Sequence, residues 1–562
     1  MKRLTPSRSK KQLLLSDIKT SLPALLFALS IVLTVFVTWQ TAQSCLDGDA
    51  SSELVLAQHL NETGRILSSD WYYSTELRVL NTQLVFAPLF SLFSDWTMVR
   101  FTGALIMQAI LVLSFFYLCR QAKLSWGARF LGGALLLLPV SVTYGRNVLY
   151  QTFYAPHLTI GFLIVALFLS ALRHACTKRG LSALVRLALL CMLSFLSGLG
   201  GVRQVIITHC PLALSLLLLL CHDAKDQPIL HAVKAHSASL LLLCAAALFF
   251  LAGYAVNIKY LASRFAFSDY HNLILRMANE DRLSDILFSI LHPLGFREGI
   301  RALSPAGILS ASSVFTFLYC MCSSFASLRS SGSAFEKRLL SVFPLFAVSV
   351  ILCVFVFVEF SGIYQLYMIP AIVWIVPLLA VQYDAVPQQL SRLRLEHAAM
   401  LLCTLFLAGN GLINAAYFST NGRLFPQKYD GQWHTEIDTV KKLEKPVAFL
   451  EENGYDLGYA EFWYANPVTE MTDGAISMVS VLINQYGRPL IEHDWLMLRQ
   501  TPYTQTDKAF LLLSAYHDRA YATMPYAYKG ERVYDDGEFV IYGFDDPAVI
   551  SEYTSWEYVL PQ

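Results

Sequence analysis

Long apolar runs alternate with short polar connections along most of the chain. Eleven runs have about the 20 residues that a helix needs to cross the hydrocarbon core of a bilayer. They cover residues 22–40, 98–119, 127–143, 152–172, 182–200, 204–221, 235–256, 305–326, 339–360, 364–383 and 397–418. The pattern predicts a mainly α-helical, polytopic membrane domain over 22–418 with about eleven transmembrane helices.

Basic residues mark every second connection, beginning with the six Lys and Arg among residues 1–21. The positive-inside rule therefore places 1–21 in the cytoplasm. With an odd number of spans, the tail 419–562 lies outside the cytoplasm. The first apolar run reaches Gln40 without a small-x-small cleavage site, which indicates an uncleaved signal anchor.

Composition agrees with a membrane protein and narrows its partners. Of 562 residues, 55% are hydrophobic and 15% charged, and the mean hydropathy is +0.48. The net charge of +1, without a basic aromatic stripe, gives no sign of a nucleic-acid partner. Most of the eleven cysteines lie in or beside apolar runs, so the sequence predicts neither a disulfide framework nor a paired-cysteine zinc site.

Three segments outside the cytoplasm are long: the loops 41–97 and 257–304, and the tail 419–562. The tail alternates helical and strand-like stretches, with turns predicted at Asn453-Gly454, Asp473-Gly474 and Asp536-Gly537. It therefore reads as a small soluble α/β domain. Its 22 acidic against 11 basic residues over 420–562 are typical of a solvated surface.

The first outer loop begins with acids, in the stretch SCLDGDASSELVLAQHLNETG at 44–64. The pattern predicts a short amphipathic helix from Ala50 to Leu60, with Asp49 as its N-cap. Glu53, four residues on, shares a face with Asp49. Asp47, Asp49 and Glu53 admit two interpretations: a capped, solvated loop, or an active site at the membrane surface.

A wider pattern favours the active site. Asp49 is followed by Ala57, Leu60, Glu62 and Gly64, then by a loop rich in Trp and Tyr. Next comes LVFAPLFSLFSDWTMVRFTGALI, which enters a span at Arg100. This layout resembles the GT-C class of integral membrane glycosyltransferases, of the protein-mannosyltransferase and aminoarabinose-transferase kind, which use lipid-linked sugars.

The chain departs from the bacterial members of that class in three places. Members of the class usually have an Asp-Glu pair here, but in this chain Ala50 follows Asp49, so the Glu is missing. Asp47 and Asp49 form an Asp-x-Asp pattern instead. The segment 83–89 lacks the usual histidine, and 366–370 keeps Tyr367 and Pro370 but lacks the arginine. These departures bear on donor and acceptor details more than on the class.

The resemblance implies transfer of a sugar, with inversion, from a polyprenyl-phosphate donor to a glycan, glycolipid or protein acceptor. It places the protein in a bacterial plasma membrane. Asp49 would be the general base. Asp47 would raise the Asp49 pKa or join it in holding a divalent cation, Mg or Mn. The tail would cover the site and help to select the acceptor.

Further polar residues near the outer boundary are predicted to contact substrate. Arginines there suit the donor phosphate, although snorkelling to lipid headgroups is the alternative. The loop 257–304 reads as one or two amphipathic helices on the membrane surface, where a histidine is also common as a structural group. The predicted substrate-binding residues are Glu53, Arg203, Arg146, Tyr144, His271, Arg282 and Tyr367.

The rival interpretation is a transporter or flippase of lipid-linked sugars without chemistry. A transporter of this kind has polar groups and broken helices in mid-membrane. Here the charges gather at the outer boundary, and runs such as LLLLCAAALFFLAGYAV are almost purely apolar. The sequence therefore favours chemistry at the surface.

Overall fold

A computed structural model describes residues 10–74, 77–177, 180–223, 229–267, 274–275, 280–328, 334–359, 365–387, 394–429, 432–485, 488–499, 508–522 and 530–554. The chain divides into two compact units. Unit 1 comprises Met1–Thr38, Leu105–Ala255 and His271–Thr435, and unit 2 comprises Trp39–Ala104, Val256–Tyr270 and Glu436–Gln562.

Helices account for most of the described chain. The α-helices are Lys10–Ser44 (α1), Gly48–Thr63 (α2), Gln83–Leu89 (α3), Trp96–Gln121 (α4), Trp126–Leu137 (α5), Val142–Tyr144 (α6), Ala155–Thr177 (α7), Leu181–Leu199 (α8), Cys210–Asp223 (α9), Ile229–Ala235 (α10), Ser237–Val256 (α11), Glu280–Leu291 (α12), Pro305–Ser327 (α13), Phe335–Phe357 (α14), Ile369–Ile372 (α15), Ile375–Ala385 (α16), Leu395–Ser419 (α17), Thr439–Glu452 (α18), Phe462–Met471 (α19), Ala515–Ala522 (α20) and Pro547–Thr554 (α21). Three π-helical turns cover Gly145–Tyr150, Val205–His209 and Asn257–Leu261, and 3₁₀ turns cover His292–Leu294 and Gln365–Met368.

Within the described residues, ten helices are long and apolar enough to cross a membrane, or eleven if one bent pair is a single span. The bent pair is Trp126–Leu137 with Val142–Tyr150, at 91° to each other, where the sequence predicted one span over 127–143. Pro139 follows Leu138, and a residue before proline is disfavoured in the helical conformation. Ser141 then caps the second piece, since its Oγ accepts from the Tyr144 N–H at 3.0 Å.

Unit 1 contains most of these apolar helices. Within it, α14 packs against α9, α13 and α16, and α13 packs against α17. Two short antiparallel pairs belong to it: Ile274–Leu275 (β3) with Val358–Glu359 (β4), and Gln427–Tyr429 (β5) with Gln432–His434 (β6).

Unit 2 contains a six-stranded mixed sheet. Its strands are Leu457–Glu461 (β7), Ser477–Gln485 (β8), Arg488–Glu492 (β9), Ala509–Ser514 (β11), Glu531–Asp535 (β12) and Phe539–Phe544 (β13), in the order β12-β13-β11-β7-β8-β9. Strand β7 runs parallel to β8 and β11, and the other pairs are antiparallel. A smaller sheet joins Trp71–Tyr73 (β1) to Ala266–Phe267 (β2) and Met497–Leu498 (β10).

Both faces of the six-stranded sheet are buried. Leu511 and Leu513 of β11 belong to one apolar cluster, and Phe510 and Leu512 belong to another. Because successive side chains point to opposite faces, the continuous apolar run AFLLLS suits a strand covered on both sides. The three predicted turns are confirmed, with Gly454, Gly474 and Gly537 at φ +64°, +82° and +84°. Glycine adopts such angles at little cost because it has no Cβ atom.

Candidate active site

The acidic loop forms the start of helix α2, in unit 2. The predicted N-cap, Asp49, is wrong, because the helix begins two residues earlier, at Gly48. Asp47 has an extended backbone and is the cap: its Oδ1 accepts from the N–H groups of Asp49 at 3.0 Å and Ala50 at 3.3 Å. Either aspartate suits a cap chemically, so the choice depends on packing around the loop.

That packing comes from helix α19 of the same unit. A Cβ atom on Gly48 would lie 2.6 Å from the Phe462 carbonyl oxygen, so only glycine permits this approach. Asn466 is buried, and its Nδ2 donates to the Gly48 carbonyl oxygen at 3.4 Å. Helix α2 also packs against α3, with Leu54, Ala57 and neighbouring side chains in a shared apolar cluster.

Asp49 does not cap the helix. It lies in the first turn of α2 and is partly buried. Burial raises the pKa of this carboxyl from 3.8 to about 6; the Arg78 cation opposes the shift, and the Glu53 charge adds to it. Desolvation is therefore the dominant cause. A carboxyl group with such a pKa is ionised at neutral pH and is basic enough to accept a proton.

Glu53 is held by its neighbours. Its carboxylate accepts from Asn81 Nδ2, at 3.3 Å and 3.2 Å to the two oxygens, and from Thr82 Oγ1. These contacts join α2 to the start of α3. Glu53 therefore fixes α2 against the start of α3, and its negative charge helps to raise the Asp49 pKa.

A buried ion pair fixes the end of the loop in unit 2. Arg100 Nε and Nη2 donate to the two carboxylate oxygens of Glu470 in α19, and both side chains are about 95% or more buried. Asp473 Oδ1 accepts from the Trp96 N–H at 2.8 Å, where α4 begins. Arg100 thus has a structural partner that lies 370 residues away in the sequence.

Arg203, in unit 1, is tied to helix α7. Its Nη1 lies 3.2 Å from Nε2 of the buried His157, and its guanidinium carbon lies 5.7 Å from the centre of the Tyr154 ring. Gln204 Nε2 donates to the His157 carbonyl oxygen at 3.1 Å. A role for Arg203 at the donor phosphate stays a prediction.

The other predicted residues of unit 1 fall in different surroundings. Tyr144 is buried, and its hydroxyl donates to the Leu136 carbonyl oxygen at 2.6 Å, so that hydroxyl is engaged inside the helix bundle. Arg146 lines a polar cleft together with Arg297. Tyr367 lies half-buried in a 3₁₀ turn. Arg282 belongs to α12, and His271 lies outside the described residues.

Arg78, Asn466 and Glu470 contact or surround the acidic helix but were not predicted from the sequence. Arg78 follows a Trp- and Tyr-rich stretch with no spacing that marks it. Asn466 and Glu470 lie in a helix whose relation to α2 appears only after folding. The part of the chain that the structure describes holds no group of three or more His, Cys, Asp or Glu suited to a metal ion.

Comparison with known proteins identifies the fold. No protein-family model matches the chain, and no curated protein matches it in sequence. The crystal structure of ArnT from Cupriavidus metallidurans in the apo state matches with TM-score 0.51 and 10% identity, over 96% of this chain and 99% of that one. ArnT bound to undecaprenyl phosphate matches with TM-score 0.52 and 10% identity, over 97% and 100%. The chain has the GT-C fold.

An Archaeoglobus fulgidus oligosaccharyltransferase, in complex with Zn and sulfate, also matches, with TM-score 0.45 and 12% identity over 95% of this chain and 74% of that one. The GT-C fold predicted from the acidic loop and the span pattern is thus confirmed by the two ArnT structures, and the protein is an integral membrane protein. At 10% identity the likeness is one of fold. The roles of individual residues must be argued from this chain.

Proposed function

We propose that the protein is a membrane glycosyltransferase that moves a sugar from a polyprenyl-phosphate carrier to a hydroxyl of an acceptor outside the cytoplasm. The observation that carries the proposal is Asp49. This acid does not cap the helix and is partly buried. Burial raises its pKa to about 6, although the Arg78 cation opposes the shift. Perturbed carboxyl groups of this kind cluster at functional sites.

The reaction needs one base. The acceptor oxygen attacks the anomeric carbon as the bond from that carbon to the carrier phosphate oxygen breaks, and the polyprenyl phosphate leaves with the bonding electrons. The acceptor hydroxyl gives its proton to the Asp49 carboxylate. Attack opposite the leaving phosphate inverts the anomeric centre. A positioned general base contributes about 10²- to 10⁴-fold to such a rate.

The fold gives independent support for the donor class. An ArnT structure that this chain matches over 97% of its length carries undecaprenyl phosphate. In this proposal Asp47 shapes the start of α2 through its cap, and Glu53 orders the same helix. Asp47 and Asp49 are also the residues that would hold a divalent cation, with one Asp47 oxygen already used by the cap; a mechanism that needs this cation predicts that Asp47→Asn, too, loses transfer.

The proposal is tested by sugar transfer in proteoliposomes, with a panel of radiolabelled polyprenyl-phosphate sugars. Asp49→Asn is compared with Asp47→Asn, a matched control that keeps a side-chain oxygen for the cap. We expect the first variant to lose at least about 100-fold in transfer while still binding donor, and the second to keep most activity. Full transfer by Asp49→Asn would remove it as the base. Movement of lipid-linked sugar across the bilayer, without transfer by the wild type, would show a flippase instead.

A further inference from the structure

Unit 1 contains a polar cleft with an empty volume of about 890 Å³, including its open mouth. Its walls come from the second piece of the bent pair, from the segment that precedes α13, from the turn before α15, and from α17 and β5. The lining residues are Ser141, Val142, Thr143, Arg146, Asn147, His292, Gly295, Phe296, Arg297, Gln365, Leu366, Asn414, Gln427 and Lys428. None of these is acidic, whereas three are Arg or Lys and one is His.

Arg297 is the central feature of the cleft. Its residue surface is 95% buried, and burial lowers the pKa of the guanidinium to about 10, so it stays charged at neutral pH. One nitrogen, Nη2, donates to Asn414 Oδ1 at 3.2 Å. The Nε and Nη1 atoms are buried and have no hydrogen-bond partner among the described residues. A buried charge with unmatched donors is costly unless an anion completes it.

The chain holds Arg297 in this position with several local devices. Gly295 has φ +96°, and a Cβ atom there would lie 2.6 Å from Asn410 Cγ, so the turn before Arg297 requires glycine. The Arg297 N–H donates to Ser310 Oγ at 2.7 Å, and Ser310 Oγ donates back to the Arg297 carbonyl oxygen at 3.1 Å. These contacts fix the backbone of Arg297 and therefore the position from which its side chain reaches the cleft.

Other donors surround the same space. Asn414 is fully buried, its Oδ1 accepts from Gln427 Nε2 at 2.6 Å, and its Nδ2 has no partner among the described residues. His292 Nε2 lies 3.4 Å from the carboxylate of Glu298, the nearby acid, which is about one-third exposed and does not line the cleft. Arg146 and Lys428 add positive charge on the partly exposed side.

We infer that this cleft is a binding site for a phosphoryl group, held by the Arg297 guanidinium and Asn414 Nδ2 with Arg146 and Lys428 around it. A phosphoryl group offers several strong acceptor oxygens to these donors, and an arginine fork can bind two of them at once. The volume exceeds that of a phosphate ion, so the cleft has room for part of a molecule that carries the group. The inference depends on unit 1 alone and does not require Asp49 to be a base.

The phosphoryl group has two possible sources, a lipid headgroup or a free phosphate compound, and one binding experiment separates them. The full-length protein in a nonionic detergent is titrated with inorganic phosphate and with dodecyl phosphate, and binding is followed by calorimetry. Dodecyl alcohol and sulfate are the control ligands. Binding of dodecyl phosphate at least about tenfold tighter than phosphate indicates a lipid source, and equal binding indicates a free phosphate. Absence of binding by both overturns the inference.

Substitutions test whether the anion binds in this cleft. Arg297→Gln should weaken phosphate or dodecyl phosphate binding at least about tenfold, because it removes a charge-assisted contact. Lys428→Gln, at the partly exposed side, should weaken it by a smaller factor and tests the site even if Arg297→Gln does not fold. The matched control is Arg129→Gln, an arginine of unit 1 that lies against Trp126 outside the cleft. Equal losses in the control and in Lys428→Gln would place the anion elsewhere.

Discussion

Replacement of Asp49 by Asn should make the protein more stable while it abolishes sugar transfer. The reason is the cost of keeping this carboxylate charged in a partly buried place. A carboxyl whose pKa rises from 3.8 on folding to about 6 binds its proton more tightly in the folded state. Stability is then lost as pH rises through this range and stays lower above it. Asparagine has no charge to desolvate.

The size of the effect follows from the two pKa values. The difference corresponds to about 3 kcal/mol at pH 7.5 and to about 1 kcal/mol at pH 4.5, where the carboxyl is largely protonated in the folded protein. Partial exposure of the side chain reduces the gain, so we expect about 1 to 3 kcal/mol at pH 7.5. The gain should shrink as the pH falls.

Equilibrium unfolding in mixed micelles measures this difference at pH 7.5 and 4.5. The matched control is Asp70→Asn in the same segment, 41–97, where the acid is half-exposed and lies 3.8 Å from Arg65. An exposed pair of this kind changes stability by about 0.5 kcal/mol or less. Asp49→Asn that is less stable than wild type at pH 7.5, or a gain that does not depend on pH, would refute the proposed desolvation of Asp49.

Other substitutions test the surroundings of the same helix. Arg78→Gln removes the cation that lowers the Asp49 pKa, so the acidic limb of the pH–rate profile should move to higher pH; an unchanged limb would separate Arg78 from Asp49. Asp47→Ala should cost about 1 kcal/mol through loss of the N-cap, whereas Asp47→Asn should cost little, as unfolding of the two variants side by side will reveal. Glu470→Gln leaves Arg100 buried without its counter-charge and should lower the free energy of unfolding by about 3–5 kcal/mol. The double variant Arg100→Met with Glu470→Leu should recover much of that stability. Additive losses from the two sites would argue against the pair.

Much of the fold follows from local properties of the sequence. Apolar runs of about 20 residues are long enough to locate spans without knowledge of their neighbours, and glycine marks the turns of the tail. The break in the predicted span 127–143 also has a local cause in the sequence, namely Pro139 and the Ser141 cap. The prediction missed it because the residues on both sides of the break are hydrophobic. Hydropathy reports burial in lipid and says little about helix direction.

Only part of the site could be predicted from the sequence, because the contacts that set its geometry join residues far apart in the chain. Asp47 and Asp49 are equally good caps by type. The contact of Gly48 with Phe462, more than 400 residues away, accompanies the earlier start of the helix. Arg297 and Asn414 likewise meet across 117 residues. Such pairs carry no periodicity, so single-sequence reasoning has no means of joining them.

The pH dependence of sugar transfer tests the central claim most directly. Purified protein in proteoliposomes is given a donor that it accepts, and kcat/KM is measured from pH 4.5 to 8.5. If Asp49 is the general base, the rate is constant above about pH 7 and falls below about pH 6, approaching tenfold per pH unit as the carboxylate is protonated. A rate that stays level down to pH 4.5, with the protein still folded, would show that Asp49 does not accept the proton in the rate-limiting chemistry.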